Sequence, residues 1–229
     1  DPIVAAARRY GLRIVEDATE SLGSRYRETM VGRSGDIACF SFNGNKLITT
    51  GGGGMIITDD PEWAQRTRYL TTQAKDDPME YVHNEIGYNY RLSNIQAAVG
   101  CAQVEVIDEY VSTKRGIARN YNNALAKVPG ISYLDEADWA DSANWLFTIA
   151  VNATEYGLTS RGLMEHLRES GIQSRPLWQP LHLSPAHAGG YAHECTVAEN
   201  LWRDGLSLPC SVGLTEENQK RVILALSRS

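Results

Sequence analysis

Residues 37–58 read IACFSFNGNKLITTGGGGMIIT. An apolar run from Ile37 to Phe42 delivers Lys46 into a loop of asparagine, threonine and glycine, and Gly51 to Gly54 then precede a second apolar run, Met55 to Thr58. Short apolar runs bounded by such turn residues predict two strands flanking a loop. An amine is thereby held at the mouth of a sheet, with bare backbone beside it to receive a ligand. A lysine in that setting is either a solvated loop residue or a nucleophile, because burial and sparse hydration help an ammonium lose its proton. The loop is not a P-loop, since Lys46 precedes the glycines and a strand follows them where a helix is required. The strand after Gly54 excludes a dinucleotide-binding glycine fingerprint for the same reason.

Upstream, residues 2–10 have short-helix character, with Asp1 at the N-cap position, Pro2 in the first turn and Gly11 as terminator. Leu12 to Glu16 is a compact run ending at Asp17. Helix, glycine, strand, carboxylate is the rhythm of an α/β unit, whose ligands bind beyond the carboxyl ends of the strands. Asp17 therefore either caps the next turn or serves such a site, and Glu20 shares its loop. Lys46 and Asp17, both at predicted strand ends, match what pyridoxal 5'-phosphate requires of a protein: an amine for its aldehyde and an acid for its pyridine nitrogen.

Downstream, Pro61 to Leu70 reads as a helix capped by Asp59 or Asp60, and residues 71–91 form a long aperiodic loop with a proline and several aromatics. Ser93 and Gln96 make a capping box that opens a helix running to Leu125, with a bend expected at 107–113 and a domain boundary there. Residues 1–110 form a large α/β domain and residues 111–229 a small α+β domain, with a buried strand from Trp145 to Val151. Thr159 or Ser160 caps a helix ending at Gly171, residues 172–175 are extended, 176–191 form a loop, 196–202 a helix, and Thr215 caps a last helix through Leu226.

A net charge of −6 without any basic run argues against nucleic acid, and 42% hydrophobic residues is ordinary for a globular chain. No apolar stretch reaches the roughly 18 residues of a membrane span, and no basic-then-apolar leader opens the chain, so a cytoplasmic protein that does not bind membranes is expected. Cys39, Cys101, Cys195 and Cys210 lack paired spacing and are expected to be free and mostly buried. The spacing of His182, His187 and His193 is too loose for a metal, and packing accounts for His83 and His166 as well.

The segments Glu16-Asp17-Ala18-Thr19-Glu20-Ser21-Leu22-Gly23, Gly35-Asp36-Ile37 through Phe40-Ser41-Phe42, Gly44-Asn45-Lys46 with Thr49-Thr50-Gly51-Gly52-Gly53-Gly54-Met55, and Gly87-Tyr88-Asn89-Tyr90-Arg91-Leu92-Ser93 follow one another in order. Together they resemble the DegT/DnrJ/EryC1/StrS family of sugar-nucleotide aminotransferases, which are fold-type-I pyridoxal phosphate enzymes. The Gly-Asn-Lys form of the lysine loop is most similar to the branch that aminates UDP-4-keto-6-deoxy-N-acetylhexosamines. The resemblance implies that Lys46 carries the cofactor as an internal aldimine and moves the proton between Cα and C4′, while Asp17 pairs the pyridinium nitrogen. It implies that Ser41 holds the phosphate, that Glu20 lies near O3′, and that Asn89 reaches the cofactor of a second subunit, so that a homodimer shares its active sites. Arg91 and Tyr88 fall in the same loop, and Arg175, Trp178 and His182 in a segment resembling the one that faces substrate; packing and solvation account for the last three equally well. Glutamate or glutamine is the implied amino donor, and a nucleotide-linked keto sugar the acceptor.

Members of the family carry an additional N-terminal region with a phosphate-binding turn, a ring that stacks on the pyridine and the first part of the sheet. The chain therefore resembles the C-terminal part of the fold, an incomplete large α/β domain plus the small domain, and is expected to bind cofactor weakly and to expose a sheet edge. A non-catalytic dimerisation scaffold is an alternative of another class. A related deoxysugar dehydratase has histidine in place of the lysine, which Lys46 argues against.

Overall fold

In the computed structural model, which describes residues 1–77 and 79–227, the opening stretch forms two adjacent strands joined by the lysine loop. Pro78, the proline of the long loop, lies outside the described residues. Helix α1 (Pro2–Arg9) leads to β1 (Val15–Asp17), the hairpin of β2 (Arg25–Tyr26) and β3 (Thr29–Met30), then β4 (Ile37–Ser41), β5 (Gly54–Ile57) and helices α2 (Pro61–Thr71), α3 (Asn94–Val104) and α4 (Ile107–Leu125). There follow β6 (Ile131–Tyr133), β7 (Ala140–Asp141), β8 (Phe147–Val151), α5 (Ala153–Tyr156), α6 (Ser160–Glu169), β9 (Arg175–Pro176), α7 (Thr196–Asp204), β10 (Gly205–Leu208) and α8 (Glu216–Ser227). The chain divides into two compact units, Asp1–Val111 with Ala137–Trp145, and Ser112–Glu136 with Leu146–Ser229. Residues 137–145, expected in the C-terminal domain, belong with the first unit because β7 pairs with β2, Arg25 opposite Asp141.

The sheet of the first unit has the order β1–β4–β5. β1 runs parallel to β4, with Val15 opposite Ile37 and Asp17 opposite Cys39, and β5 returns antiparallel with Gly54 opposite Ser41. Parallel strands end at the same edge, so the residues after β1 and β4 emerge side by side. Side chains hold this pairing at both ends of the connection. Glu16 accepts the backbone N–H groups of Gly32, Ser34 and Gly35 at 2.6, 3.0 and 3.3 Å, folding the incoming loop onto β1. Asp36 accepts the Ile14 N–H at 2.7 Å and the Arg13 guanidinium at 3.1 Å, tying the starts of the two strands together. The flanks of the sheet are open: β5 is exposed at each residue, and Val15 of the outer strand β1 is 66% exposed.

Capping follows the sequence closely at most helices. Ser93 and Gln96 form the full reciprocal box, and the Asp60 carboxylate accepts from Glu62 and Trp63 to start α2. Asp1 occupies the N-cap position of α1 without a side-chain bond to the helix; its carboxylate pairs with Arg27 at 2.7 Å. The helix that begins at Ser93 breaks at residues 105–106, just before the expected bend. Its apolar residues Ile95, Val99 and Val104 are exposed among the described residues.

The second unit contains an antiparallel sheet in the order β6–β8–β10–β9. Phe147, Ile149 and Val151 alternate inward along β8 and meet Tyr121 and Leu125 of α4, Leu163 and Leu167 of α6, and Val222 and Leu226 of α8 in one core. β10, absent from the sequence expectation, lies inside this sheet with all four residues buried. Its short Gly-Leu-Ser-Leu run carries little strand signal, and the buried Ser207 hydroxyl is satisfied by Thr148 at 2.9 Å. Tyr121 stacks on Phe147 and donates to the Pro209 carbonyl at 2.8 Å, and burial pushes its phenol above the ordinary value. The cysteines are free, but only Cys210 is buried; Cys39 and Cys195 are half-buried and Cys101 is exposed, which corrects the expectation of mostly buried thiols. Among the described residues no helix is long and apolar enough to cross a membrane.

The Ile14 N–H, and next the Arg13 guanidinium, hold the Asp36 carboxyl below its ordinary value of 3.8. A carboxylate depressed on folding contributes stability above its unfolded pKa, and that contribution disappears as pH falls through the folded value. The melting-temperature gap between wild type and Asp36→Asn should therefore be constant above about pH 5 and close as pH falls below about 4. A gap that does not change with pH contradicts this role.

Candidate active site

Phe42 closes the lysine loop on itself. Its N–H donates to the Gly53 carbonyl at 2.9 Å, while its own carbonyl accepts the Thr50 N–H and the Thr49 hydroxyl at 3.0 Å each. The buried side chain of Ile48 anchors the interior of the loop, and Gln103 of α3 accepts the Thr49 N–H at 2.8 Å. Gly53 is required by two features: its φ is +90°, and a Cβ there would stand 2.3 Å from the Leu92 side chain. Gly54 lies too close to the Phe40 carbonyl for a side chain, at 2.4 Å from an added Cβ, whereas Gly51 and Gly52 face open space.

The Lys46 side chain is only 13% exposed. Its Nζ lies 3.5 Å from Glu20 Oε1 and 4.1 Å from the centre of the Trp145 ring. Asp17, at the end of β1, accepts the Thr19 N–H at 3.2 Å. Hydrogen bonds from Thr19 are the main cause that holds the Asp17 carboxyl below its ordinary value, and the charge of Lys46 adds to them. Ser41 ends β4, and its Oγ accepts the Asn43 N–H at 3.3 Å. Lys46, Asp17, Glu20 and Ser41 thus gather at one sheet edge through the parallel pairing of β1 and β4.

The other residues singled out from the sequence stand elsewhere. Asn89 bridges to Thr72, and Tyr88 and Tyr90 donate backbone N–H groups to Leu70 and Thr71, so residues 88–90 lie along the end of α2, with the two tyrosine rings stacked at 5.0 Å. From the same segment, with Arg91, it is Leu92 that touches the glycine run. Arg175, Trp178 and His182 belong to the second unit, where Arg175 pairs with Ser207 in the sheet, Trp178 is 62% exposed and His182 Nε2 lies 2.9 Å from Glu199 Oε1. Sequence reasoning missed Trp145, which it took as the first residue of the strand now seen to begin at Phe147. The signal was Asn144, a residue type that tolerates the left-handed conformation it adopts here, φ +51°. A cavity of about 800 Å³, lined by Gly32, Asp36, Ile57 and Asp60, lies at the other end of β4 from Lys46.

The α/β unit thus presents a shielded amine and an ionised carboxylate at adjoining strand ends. The chain belongs to the DegT/DnrJ/EryC1/StrS aminotransferase family, whose pattern matches residues 1–227. It is 43% identical over 230 residues to EpsN of Bacillus subtilis, designated by inference a pyridoxal phosphate-dependent aminotransferase, across 99% of this chain and 58% of that one. It is 38% identical over 229 residues to the GDP-perosamine synthase of Caulobacter vibrioides, across 100% of this chain and 62% of the synthase. The solved structure of S. venezuelae DesV superposes with a TM-score of 0.87 at 35% identity, across 98% of this chain and 60% of that one. The chain thus spans about three-fifths of the length of these relatives. Pyridoxal phosphate is the cofactor of the family.

Gly54→Ala should lower stability by about 2 kcal/mol in urea unfolding, because the new methyl meets a backbone oxygen in a paired strand. Gly52→Ala should stay within about 0.5 kcal/mol of wild type. The opposite order would contradict the loop geometry.

Proposed function

We propose that this chain carries the lysine-bearing part of a pyridoxal phosphate-dependent aminotransferase that transfers an amino group from glutamate or glutamine to a nucleotide-linked 4-keto-6-deoxy sugar. The observation that carries the reading is the Lys46 amine, 13% exposed, 3.5 Å from Glu20 and close enough to Asp17 for its charge to act there. The donor set suits the cofactor: an amine for the aldehyde, a carboxylate held ionised for the pyridine nitrogen, a hydroxyl at the end of β4 for the phosphate, and open space over Gly51 and Gly52. The first unit is then the cofactor-bearing part of the large domain, and the second the small domain.

When bound, pyridoxal phosphate supplies an aldehyde for the amines and an electron-poor ring that stabilises negative charge at the amino-acid Cα. Asp17, kept anionic by Thr19, would hold a proton on the ring nitrogen. Lys46 Nζ would be the base that holds and moves the Cα proton, a role that needs a mobile amine in a fixed place. Glu20 keeps that amine at the sheet edge, and Ser41 Oγ offers the phosphate a hydrogen bond. Asn89, exposed beside α2, is free of the Lys46 loop in its backbone pairing and suits a contact with the cofactor of a partner subunit in a homodimer. Tyr88, Arg91, Arg175, Trp178 and His182 supply cations and rings of the kind that hold a diphosphate, a sugar or a base. The names of relatives, GDP-perosamine synthase and dTDP-3-amino-3,4,6-trideoxy-alpha-D-glucose transaminase, support a nucleotide sugar as the acceptor class.

Pyridoxal phosphate added to the chain and trapped with borohydride should label Lys46, as read by peptide mass spectrometry, and Lys46→Ala should remove that label. A chain in which Lys46 takes no label at any cofactor concentration would instead be a scaffold without this chemistry.

A further inference from the structure

We infer that Trp145 is a positioning residue for Lys46: its indole grips the main chain of the lysine loop through one edge and covers the lysine amine with its face. The inference rests on the proposed role of Lys46. Indole Nε1–H donates to the Asn45 carbonyl at 2.7 Å, and the Lys46 ammonium lies 4.1 Å from the ring centre. Asn45 is the residue before the lysine, so one rigid ring fixes both the backbone from which the side chain starts and the point at which it ends. A lysine stem has four rotatable bonds and would otherwise wander. The ring face attracts the ammonium but accepts no conventional hydrogen bond, which leaves the amine's donors directed at Glu20 and at the space beyond the sheet edge.

The delivery of Trp145 is itself built. Residues 137–145 leave the second unit's sequence to join the first. There β7 pairs with β2, Tyr26 packs on Trp139 at 5.5 Å between ring centres, and the Ala143 N–H donates to Ser24 Oγ at 2.9 Å. Ala143 is 1% exposed. Asn144, with φ +51°, is held by Ser142, whose hydroxyl accepts its N–H at 3.0 Å, and it turns the chain so that the next residue lies over the lysine loop. A surface tryptophan packed by chance needs none of this.

Two variants separate the edge from the face. Trp145→Phe keeps a ring and loses the N–H, and Trp145→Leu loses both. Lys46 reactivity is read without cofactor, by pulsed reductive methylation with formaldehyde and cyanoborohydride and peptide mass spectrometry, with the exposed Lys127 as internal reference. In the wild type Lys46 should methylate at least about fivefold more slowly than Lys127; Trp145→Leu should speed Lys46 about threefold to tenfold with Lys127 unchanged, and Trp145→Phe should restore most of the protection. Borohydride-trapped pyridoxal phosphate on Lys46 should fall about threefold in Trp145→Phe, which keeps the cover and loses the anchor. Equal Lys46 methylation in all three proteins overturns the inference. Should Trp145→Leu unfold, as circular dichroism would reveal, the Phe variant decides alone: trapping equal to wild type overturns the anchor. If wild type takes no pyridoxal phosphate at all, the cofactor reading fails, while the methylation ratios still report on the cover.

Discussion

The parallel pairing of β1 with β4 is the constraint on which the rest of the first unit depends. Two parallel strands finish at the same edge, so Asp17 at the end of one and the Lys46 loop after the other are placed together by hydrogen-bond register. A slip of one residue would turn each side chain of β1 to the opposite face. Glu16 and Asp36 act against that slip from side chains: Glu16 gathers backbone N–H groups of the connecting loop, and Asp36 joins the residues that precede both strands. Charged residues at those positions are therefore structural, although they neighbour the chemistry in sequence.

The loop after β4 then faces two opposed demands. Pyridoxal phosphate needs open space, yet the amine must be held still. Gly51 and Gly52 leave space, while Phe42, Ile48 and Gln103 close the loop around its own backbone. Gly53 and Gly54 belong to the closure instead, one by its left-handed backbone beneath Leu92 and the other by its approach to the Phe40 carbonyl. Of the four glycines, Gly52 serves access alone, Gly51 combines open space with a left-handed φ of +77°, and Gly53 and Gly54 serve packing. Trp145 adds the remaining restraint from a segment distant in sequence.

Local signals carried much of this. The strands beside Lys46, the strand before Asp17, the Asp60 and Ser93 caps and the break after α3 were legible because each depends on residues within one turn or one strand. The placing of Lys46 and Asp17 at strand ends was legible as well, since strand ends in an α/β unit imply a shared edge. What was not legible depends on partners far away in sequence. β10 is a strand because β8 and β9 flank it, not because Gly-Leu-Ser-Leu prefers to extend. β2, β3 and β7 are two residues each, too short for any period to register. Trp145 looked like strand because it precedes an apolar alternation; β8 begins only two residues later, and the left-handed Asn144 just before Trp145 is a faint signal. The apolar spacing of α3 was real, but among the described residues it does not translate into burial.

The central claim is that the edge shared by β1 and β4 receives the cofactor between Lys46 and Asp17. The most direct measurement is a crystal structure of this chain grown with pyridoxal phosphate. Continuous electron density from Lys46 Nζ into the ring is expected, with the ring nitrogen facing Asp17. Density joined to another lysine, or a ring whose nitrogen faces away from Asp17, would contradict it.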